Sequence, residues 1–310
     1  MYYLGVDIGG TATKACLVDE SGRIQSSKQI PTIGNDLNRF LLTLTELIAD
    51  FQKFVSLEAV GIGVAGLKSS RTHSIVTSPN IPCLVNINLE TLVEDQVHVP
   101  VVSDNDAKAG AYAELIAGAG KGIRHMAYIT LGTGLGAGII LDGKVFRGIS
   151  GFAGELGHTV IEPDGRLCTC GGRGCLETIV SATGIVRTAM DKLRNASESL
   201  LSQYPEPLTA ANVFDACGRG DRTAVEVFEE TGRYLGIASA NLINLLNLER
   251  IVVGGGVMAA GSVLLHPAKE EARRRAFPSS FADCAIVQSQ LWPEAGMIGA
   301  AFLARDRDRL

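Results

Sequence analysis

The sequence predicts an α/β protein made of two copies of one βββαβα unit, and three observations support this. The chain has 310 residues, slightly more than one hydrophobic core usually organises, so two domains are expected. A strand–turn–strand pattern at the start of the chain recurs near its middle. Glycine accounts for 36 residues, and sixteen of them lie between Gly118 and Gly174. Because glycine is costly unless a turn or a ligand requires bare backbone, this concentration indicates a binding function.

Three strands and a helix are predicted at the start of the chain. The β-rich runs, separated by turn residues, are residues 2–6, 14–18 and 23–29. From residue 36 to residue 51 apolar side chains recur at helical spacing, which predicts an amphipathic helix capped by Asn35 or Asp36. Further strands are expected at residues 59–64 and 99–103, followed by a helix at about 105–116.

The middle of the chain repeats this opening. The repeated strands are residues 126–131, 136–141 and 144–146. Gly132-Thr133-Gly134 stands where Gly9-Gly10-Thr11 stands in the first copy, so a ligand would lie between two hairpins that each present a Gly-Thr turn. The rest is mostly helical, with helices expected at 181–194, 211–216, 221–247 (broken at small residues), 262–276 and 296–304, and strands at 250–253 and 285–287.

The charge pattern and the hydropathy exclude several classes of protein. The net charge is −5 and no basic block of five or more residues occurs, so nothing favours nucleic-acid binding. The uncharged run at residues 126–141 contains four glycines and is a poor membrane span. The N-terminus lacks the basic region of a signal peptide. We therefore expect a soluble, cytoplasmic protein with no nucleic-acid or membrane partner.

Three of the seven cysteines are crowded together. Cys168, Cys170 and Cys175 lie within eight residues, with glycines between them. Without a secretory signal, such a cluster favours a metal site over disulfides. Three cysteines are one ligand short of a closed tetrahedral zinc site, and His158 is the nearest candidate for the fourth.

Glycine turns that follow strands suggest phosphate binding, because bare N–H groups can converge on an anion. The Gly120-Lys121-Gly122 segment is not a P-loop, since no Ser or Thr follows its lysine and no glycine stands five residues before Gly120. The G-x-G-x-x-A pattern from Gly132 leads into a strand. The same pattern from Gly254 is followed by a strand that ends in Gln288 and not in an acid. A Rossmann dehydrogenase is therefore only weakly supported.

The remaining motifs resemble those of the ROK sugar kinases, within the actin-like ATPase clan. The segment DIGGTATK, from Asp7, resembles the first phosphate loop of that clan. The match continues in order over most of the chain, through NDA from Asn105, LGTGLGAGIILDGKVFRG from Leu131, GELGH from Gly154, CTCGGRGCLE from Cys168 and the glycine triplet from Gly254. Several of these motifs are long, so coincidence is not a serious explanation.

The resemblance implies two actin-like, ribonuclease H-like domains with a cleft between them. A small N-terminal domain would comprise residues 1–117 and a C-terminal helix at about 296–310, and a large C-terminal domain residues 118–295. The implied reaction is ATP-dependent phosphorylation of a hexose at its 6-hydroxyl by a homodimer, with glucose as the first choice. Kinases of N-acetylmannosamine, N-acetylglucosamine, fructose or mannose share these motifs, so the hexose stays open.

An alternative from another class is a non-catalytic, sugar-sensing regulator, because relatives of this family include transcriptional repressors. Those proteins carry a helix-turn-helix ahead of the first phosphate loop, whereas the first strand here begins at about Tyr2. The acidic balance also does not suit DNA. An enzyme is the favoured expectation.

Asp106 is predicted to be the general base. Phosphoryl transfer from ATP to a sugar hydroxyl needs a carboxylate within hydrogen-bond reach of that hydroxyl, and Asp106 follows a strand and starts a helix. The alternative is that Asp104 or Asp106 only caps that helix. The resemblance favours catalysis and implies that Asn105 hydrogen-bonds a neighbouring sugar hydroxyl.

The resemblance places the other candidate residues in three groups. The sugar would be bound by Gly66, Asn80, Asn105, Asp106, Glu155, His158 and Glu177. ATP and Mg²⁺ would be bound by Asp7, Gly9, Gly10, Thr11, Lys14, Gly132, Thr133, Gly134, Gly254, Gly255 and Gly256, with Asp7 orienting the Mg²⁺ through water. A structural Zn²⁺ would be bound by His158, Cys168, Cys170 and Cys175.

Two positions depart from the family pattern. Many relatives have Pro-Gly followed by Val-Asp where this chain has Ala65-Gly66-Leu67-Lys68, which leaves the sugar contacts on that side open. Lys108 replaces the usual small polar residue after Asn-Asp-Ala.

Overall fold

The computed structural model describes residues 1–194 and 198–309, and it divides into two compact units. Unit 1 consists of Met1–Arg124, Gly138–Gly154 and Gln290–Leu310, and unit 2 of His125–Ala137 and Glu155–Ser289. Residues 195–197, within the predicted domain 118–295, and residue 310, at the end of the predicted segment 296–310, lie outside the described residues. The domain limits given above stay a prediction.

The chain alternates strands and helices. The strands are β1 (Tyr2–Ile8), β2 (Ala12–Asp19), β3 (Ile24–Pro31), β4 (Leu57–Val64), β5 (Leu67–Lys68), β6 (Ile75–Thr77), β7 (Val101–Asn105), β8 (Met126–Leu131), β9 (Leu135–Leu141), β10 (Lys144–Val145), β11 (Arg250–Gly254) and β12 (Ala285–Gln288). The helices are α1 (Leu37–Gln52), α2 (Leu89–Val97), α3 (Asp106–Ala117), α4 (Ala182–Leu193), α5 (Ala210–Gly218), α6 (Arg222–Leu246), α7 (Ser262–Arg275), α8 (Pro278–Ala282) and α9 (Ala295–Arg305).

Unit 1 is built on a mixed five-stranded sheet of order β3-β2-β1-β4-β7. Strand β1 runs antiparallel to β2 and parallel to β4, and β4 runs parallel to β7. The carboxyl ends of three neighbouring parallel strands therefore meet at one edge of the sheet, where α/β proteins commonly bind ligands. Asp7 lies at the end of β1 and Asn105 at the end of β7.

Helix α1 covers one face of this sheet. Its N-cap is Asp36, whose side chain accepts a hydrogen bond from Arg39 N at 3.1 Å. Its apolar stripe is buried against the strands, as the helical periodicity predicted, and consists of Phe40, Leu41, Leu44, Leu47, Ile48 and Phe51.

Helix α9 lies against the backbone of the same sheet, because glycines remove the side chains that would hold it away. A Cβ atom at Gly5 would lie 1.9 Å from the Met297 carbonyl oxygen, and one at Gly61 would lie 1.8 Å from that of Ala300. On the opposite side of α9, a Cβ at Gly299 would lie 1.8 Å from Ala109 O in α3. The helix is thus in backbone contact with β1, β4 and α3.

The second five-stranded sheet has the order β10-β9-β8-β11-β12. In unit 2, β11 pairs in parallel with both β8 and β12. Helix α6 packs on α7 through Gly232 and Gly236, where a Cβ at Gly236 would lie 2.4 Å from Ala268 O. The expected breaks in the segment 221–247 are wrong, because α6 is one continuous helix from Arg222 to Leu246. Its small residues serve this close packing.

The α/β prediction with two related sheets is confirmed, and each predicted strand and helix occurs with ends displaced by at most two residues. The sequence did not predict the helices α2 and α8 or the short strand pair β5–β6. Helix α2 has nine residues and buries only Leu89, Val93 and Val97, a weak periodic signal. No helix in the described ranges combines the length and apolar character needed to cross a bilayer.

The packing of α9 gives a prediction for stability. We expect Gly61→Ala to lower the free energy of unfolding by about 2–3 kcal/mol, because the added methyl group collides with a backbone carbonyl that cannot move aside. The matched control is Gly218→Ala at the end of α5, where a Cβ would meet nothing within 4 Å. That control should change stability by less than about 1 kcal/mol. Urea unfolding followed by circular dichroism measures both, and equal effects would refute the packing argument.

Candidate active site and metal centre

Two aspartates flank the end of strand β4 in unit 1. Gly63 of β4 pairs with Asp7 of β1, and a Cβ at Gly63 would lie 3.4 Å from the Cα atom of Asp106 and 3.8 Å from Asp7 Oδ1. Because Gly63 has no side chain, β4 leaves room for both aspartates at this point.

The start of α3 is capped by Asn105, not by Asp104 or Asp106. Asn105 Oδ1 accepts hydrogen bonds from Ala107 N at 3.0 Å and Lys108 N at 3.2 Å. The N-cap residue is therefore neither Asp104 nor Asp106, although Asp106 Oδ1 also accepts from Ala107 N.

The Asp106 carboxylate is held through one oxygen. Its Oδ1 accepts from Ala107 N at 2.9 Å and from Asn105 Nδ2 at 3.0 Å. Among the described residues no donor reaches Oδ2. The geometry therefore fixes the orientation of the carboxylate and leaves one oxygen able to accept a proton.

Burial perturbs both carboxyl groups, and repulsion by Asp106 adds to the effect on Asp7. Burial raises the pKa of Asp106, against the opposing effect of backbone N–H donors and Lys108. Burial, and then the negative charge of Asp106, raise the pKa of Asp7 to about 7, while Lys14, its neighbour across the β1–β2 pair, lowers it. Two acids placed together in a site of low dielectric constant behave in this way. Perturbed acids of this kind mark candidate functional sites.

Unit 1 brings the first Gly-Thr turn next to two of the predicted sugar residues. The turn closes with a hydrogen bond from Gly9 N to Ala12 O at 3.1 Å. A Cβ at Gly10 would lie 2.6 Å from Asn80 Cβ. Gly66, at φ +150°, packs against the segment before Asn80, and its carbonyl accepts from Asn105 Nδ2 at 3.1 Å. The other predicted ATP and Mg²⁺ residues of this segment, Asp7, Thr11 and Lys14, also belong to unit 1.

Unit 2 places the second Gly-Thr turn beside the glycine triplet. Gly132 N donates to Gly134 O at 2.9 Å, and Thr183 Oγ1 donates to Thr133 O at 3.0 Å. Gly255 has φ +89°, and a Cβ there would lie 2.4 Å from the Leu131 backbone. Only glycine fits this position, and a Cβ at the next residue, Gly256, would meet nothing within 4 Å. The two glycine-rich segments are therefore neighbours.

Glu177 connects the second turn to the cysteine cluster. Its Oε2 accepts from Leu135 N at 2.8 Å, and a Cβ at Gly134 would lie 2.3 Å from that oxygen. Its Oε1 lies 3.9 Å from Cys168 Sγ. The structure thus gives Glu177 a role in holding the turn, which the sequence did not predict. Its predicted contact with sugar stays a prediction.

The four predicted metal ligands come together in unit 2. Their ligand atoms all lie within 4.8 Å of one another. Cys168 Sγ is 3.6 Å from His158 Nδ1, and Cys170 Sγ is 3.7 Å from Cys175 Sγ. A tetrahedral zinc ion with the usual bond lengths requires about 3.6 Å between sulfur and nitrogen and about 3.8 Å between two sulfurs. The cluster therefore fits a four-coordinate zinc ion.

Glycines allow the metal loop to fold tightly. Gly171 has φ +89° and Gly174 has φ +74°, and a Cβ at Gly174 would lie 1.6 Å from Glu162 O. Cys168 N donates to Gly172 O at 2.8 Å, which closes the loop on itself. His158 is the last residue of a short 3₁₀ helix, and its backbone N–H donates a hydrogen bond to Glu155 O. Glu155 and His158 are therefore adjacent in unit 2.

The sequence did not predict two ion pairs beside the candidate site of unit 1. Arg147 Nε lies 2.8 Å from Asp104 Oδ2, and Lys68 Nζ lies 2.6 Å from Glu90 Oε1. Arg147 is bonded directly to Asp104 of β7, and the Lys68–Glu90 pair is bonded to β7 through Ser103, whose carbonyl accepts from Lys68 Nζ and whose N–H donates to Glu90 Oε1. The only available signal was Lys68 itself, a cation where the family pattern has an acid.

Comparisons with known proteins agree with these motifs. The sequence model of the ROK family matches residues 3–307. A glucokinase of Halalkalibacterium halodurans is 38% identical, over 99% of this chain and 96% of its own length. The crystal structure of a ROK family glucokinase from Streptomyces griseus in complex with glucose and AMPPNP has a TM-score of 0.87 at 37% identity, covering 99% of this chain and 100% of that one. A xylose repressor of Caldicellulosiruptor bescii is 30% identical, over 96% of this chain and 76% of its own length.

The raised pKa of Asp7 predicts a pH-dependent change in stability. Ionising a carboxyl whose pKa rises from 3.8 to about 7 on folding destabilises the folded state progressively as pH rises between those values. We therefore expect Asp7→Asn, in metal-free buffer, to be more stable than the wild type by about 1–3 kcal/mol at pH 8. The gain should vanish near pH 4.

Denaturant unfolding at several pH values measures this difference. Asp95→Asn, at an exposed position of α2 in the same unit, is the control and should show no comparable gain. A gain for Asp7→Asn that is equal at pH 4 and pH 8 would contradict the burial argument.

The cysteine cluster predicts a metal-dependent unfolding temperature. We expect Cys170→Ser to reduce bound zinc well below the one ion per chain of the wild type and to lower Tm by several degrees, because it removes one of four ligands. Elemental analysis and thermal melting measure both. Cys217→Ser, at a half-buried free cysteine of the same unit, should retain zinc and Tm. An unchanged melting temperature in Cys170→Ser, or no zinc in the wild type, would refute the assignment.

Proposed function

This chain belongs to the ROK family and is an ATP-dependent sugar kinase of the glucokinase type, and we propose that its substrate is glucose, phosphorylated at the 6-hydroxyl. The observation that carries the proposal is the Asp106 carboxylate, held through Oδ1 with Oδ2 available. The choice of glucose is supported by the glucokinases among its relatives, one of which was crystallised with glucose and AMPPNP.

Asp106 would act as the general base. The 6-hydroxyl oxygen of the sugar attacks the γ-phosphorus of ATP, the bond from that phosphorus to the β–γ bridging oxygen breaks, and ADP leaves. The hydroxyl proton passes to Asp106 Oδ2. Burial raises the pKa of Asp106, which brings its proton affinity closer to that required near neutral pH. Catalysis in such reactions depends mainly on positioning and electrostatics, and Asn105 supplies the positioning here.

The glycine turns would bind the nucleotide. In unit 1 the backbone N–H groups of Gly9, Gly10 and Thr11 are proposed to bind phosphate, with Lys14 as a counter-charge. In unit 2 the segment from Gly132 to Gly134 is proposed as the second phosphate turn. The triplet from Gly254 to Gly256 would accommodate the adenosine, which is supported by the open space at Gly256.

Asp7 fits the role of a magnesium ligand. Its carboxylate accepts no hydrogen bond from the described residues, and its pKa is raised by burial and by Asp106. An acid in this state gains most from a divalent cation, and Mg²⁺ prefers carboxylate and water ligands. When bound there, Mg²⁺ would neutralise charge on the transferred phosphoryl group.

The sugar would be bound by residues that each unit holds rigidly. In unit 1 these are Gly66, Asn80 and Asn105, and in unit 2 Glu155, His158 and Glu177. We propose that a structural zinc ion fixes His158, because one imidazole nitrogen can bind the metal while the other faces the sugar. A homodimer stays a prediction from the resemblance, and a cytoplasmic location stays a prediction from the charge pattern and the hydropathy.

A comparison of substrates tests this function. We expect the wild-type protein to release ADP with the highest kcat/KM on glucose among glucose, mannose, fructose, N-acetylglucosamine and N-acetylmannosamine, and ³¹P and ¹³C NMR should locate the phosphate on the 6-hydroxyl. Asp106→Asn should lower kcat by at least about 10²–10⁴-fold, because it removes the general base. It should bind glucose as the wild type does in calorimetry.

The control is Asp95→Asn, which removes an exposed charge from the same unit and should leave kcat unchanged. Preference for an N-acetylhexosamine or fructose would replace glucose with that alternative. No ADP release with any sugar would favour the regulator class, to which the related repressor belongs. Near-normal turnover in Asp106→Asn would overturn the assignment of the base.

A further inference from the structure

One arginine of the metal loop makes its side-chain contacts outside that loop. Arg166 lies two residues before Cys168, and its carbonyl accepts from Gly174 N at 2.8 Å, so its backbone is part of the folded loop. Its side chain is only 27% exposed. Holding a long side chain in one geometry costs conformational entropy, and several simultaneous hydrogen bonds offset that cost.

The guanidinium of Arg166 bonds acceptors on two neighbouring elements of unit 2. Its Nη1 donates to Thr178 O and to Thr188 Oγ1, both at 3.0 Å, and its Nη2 lies 2.8 Å from Asp191 Oδ2. Thr188 and Asp191 are three residues apart on α4 and therefore share one face of that helix. A planar guanidinium matches such spread acceptors better than the point charge of a lysine. Arg166 thus joins the metal loop to α4.

The first turn of α4 bonds the proposed second phosphate turn. Ala182 N donates to Gly132 O at 2.8 Å, and Thr183 Oγ1 donates to Thr133 O at 3.0 Å. A peptide group is planar and trans, so a carbonyl held in one direction fixes the N–H of the next residue in the opposite direction. These two bonds therefore orient the N–H groups of Thr133 and Gly134, and N–H groups are what such a turn offers to a phosphate.

Helix α4 is a short and stiff connection between these two sets of bonds. Thr188 lies five residues after Thr183, which is about 8 Å along the axis of a helix. The helix is capped by Ser181, whose side chain accepts from Gly184 N at 2.9 Å, and Ile185 and Ala189 are fully buried. A packed helix transmits a displacement of one turn to the next. The face that Arg166 holds and the turn that bonds Thr133 therefore move together.

We infer that Arg166 is a positioning residue for the nucleotide, because it fixes α4 to the metal loop and α4 orients the N–H groups of the second phosphate turn. The inference rests on the proposed function, since it assumes that this turn binds the phosphates of ATP. It is independent of which hexose is the substrate and of which residue is the base. In this role Arg166 acts through α4.

Two variants of Arg166 test this role. Arg166→Gln removes the charge and the planar set of donors, whereas Arg166→Lys keeps only the charge. With Mg²⁺ present, we expect the calorimetric Kd for AMPPNP to rise by about tenfold in Arg166→Gln and by a smaller factor in Arg166→Lys, because the phosphate-binding N–H groups lose their fixed orientation. Glucose affinity should stay within about twofold of the wild type, since His158 keeps its place in the metal site.

Arg173→Gln is the matched control, because it removes the same charge from the same loop. Arg173 donates to Gly165 O at 3.2 Å, a bond that stays within the metal loop. This variant should bind AMPPNP and glucose as the wild type does. A Kd for AMPPNP that rises equally in Arg173→Gln and Arg166→Gln would show an effect of charge alone and would overturn the inference.

A double variant tests whether the effect passes through α4. Thr183→Val removes the hydroxyl that bonds Thr133 O and should also raise the Kd for AMPPNP. If Arg166 acts through α4, combining Thr183→Val with Arg166→Gln should give a Kd close to that of the weaker-binding single variant, because changes along one path are not additive. Factors that multiply in the double variant would contradict the inference.

Elemental analysis and circular dichroism accompany these measurements. Loss of zinc or of folded structure in both Arg166 variants, or a parallel loss of glucose affinity, would mean that Arg166 only holds unit 2 together and would overturn the inference. If the wild type binds no AMPPNP and phosphorylates no sugar, the proposed function fails. If the wild type does both and the two Arg166 variants bind AMPPNP equally tightly, only the inference about Arg166 fails.

Discussion

The close packing of helix α9 on the first sheet is the constraint on which the unit 1 site depends. Gly5, Gly61 and Gly299 bring the helix into backbone contact with two strands and with α3. The same packing puts the first turn of α9 under the acid at the end of β1, since a Cβ at Gly296 would lie 2.6 Å from Asp7 Oδ2. A side chain at any of these glycines would force the helix away from the sheet. The sheet edge that carries the candidate site is therefore supported by an interface with no room for adjustment.

At that edge, each of the two acids has a lysine whose effect on its pKa opposes the effect of burial. Burial raises the pKa of both Asp7 and Asp106, and the negative charge of Asp106 raises that of Asp7 further. Lys14 lowers the pKa of Asp7, and backbone donors and Lys108 lower that of Asp106. Asn105 fixes the geometry, because its side-chain amide donates to Asp106 Oδ1 and to Gly66 O and accepts from Ala107 N at the start of α3. A proposed base oriented by fixed donors needs little rearrangement during the reaction.

Unit 2 reaches comparable rigidity by different means. Glu177 bonds the second Gly-Thr turn on one side and approaches Cys168 on the other, so the metal loop and the phosphate turn are mechanically linked. Gly174 lets that loop close against Glu162 O. Removal of a zinc ion from this site would therefore be expected to loosen the proposed phosphate turn as well as the proposed sugar residues Glu155 and His158.

The sequence by itself determined most of the elements, the glycine turns and the cysteine cluster, because hydrophobic periodicity, turn chemistry and short ligand spacing all report interactions between residues close along the chain. Only the tertiary structure decided that Asn105 caps α3, that Glu177 holds the second turn, and that Lys108 is buried. The partners of Glu177 and Lys108, Leu135 and Gly151, lie 42 and 43 residues away, and no local pattern encodes such pairs. The packing of helices and loops on the sheet brings these residue pairs together. The same packing buries the proposed base and fixes its orientation.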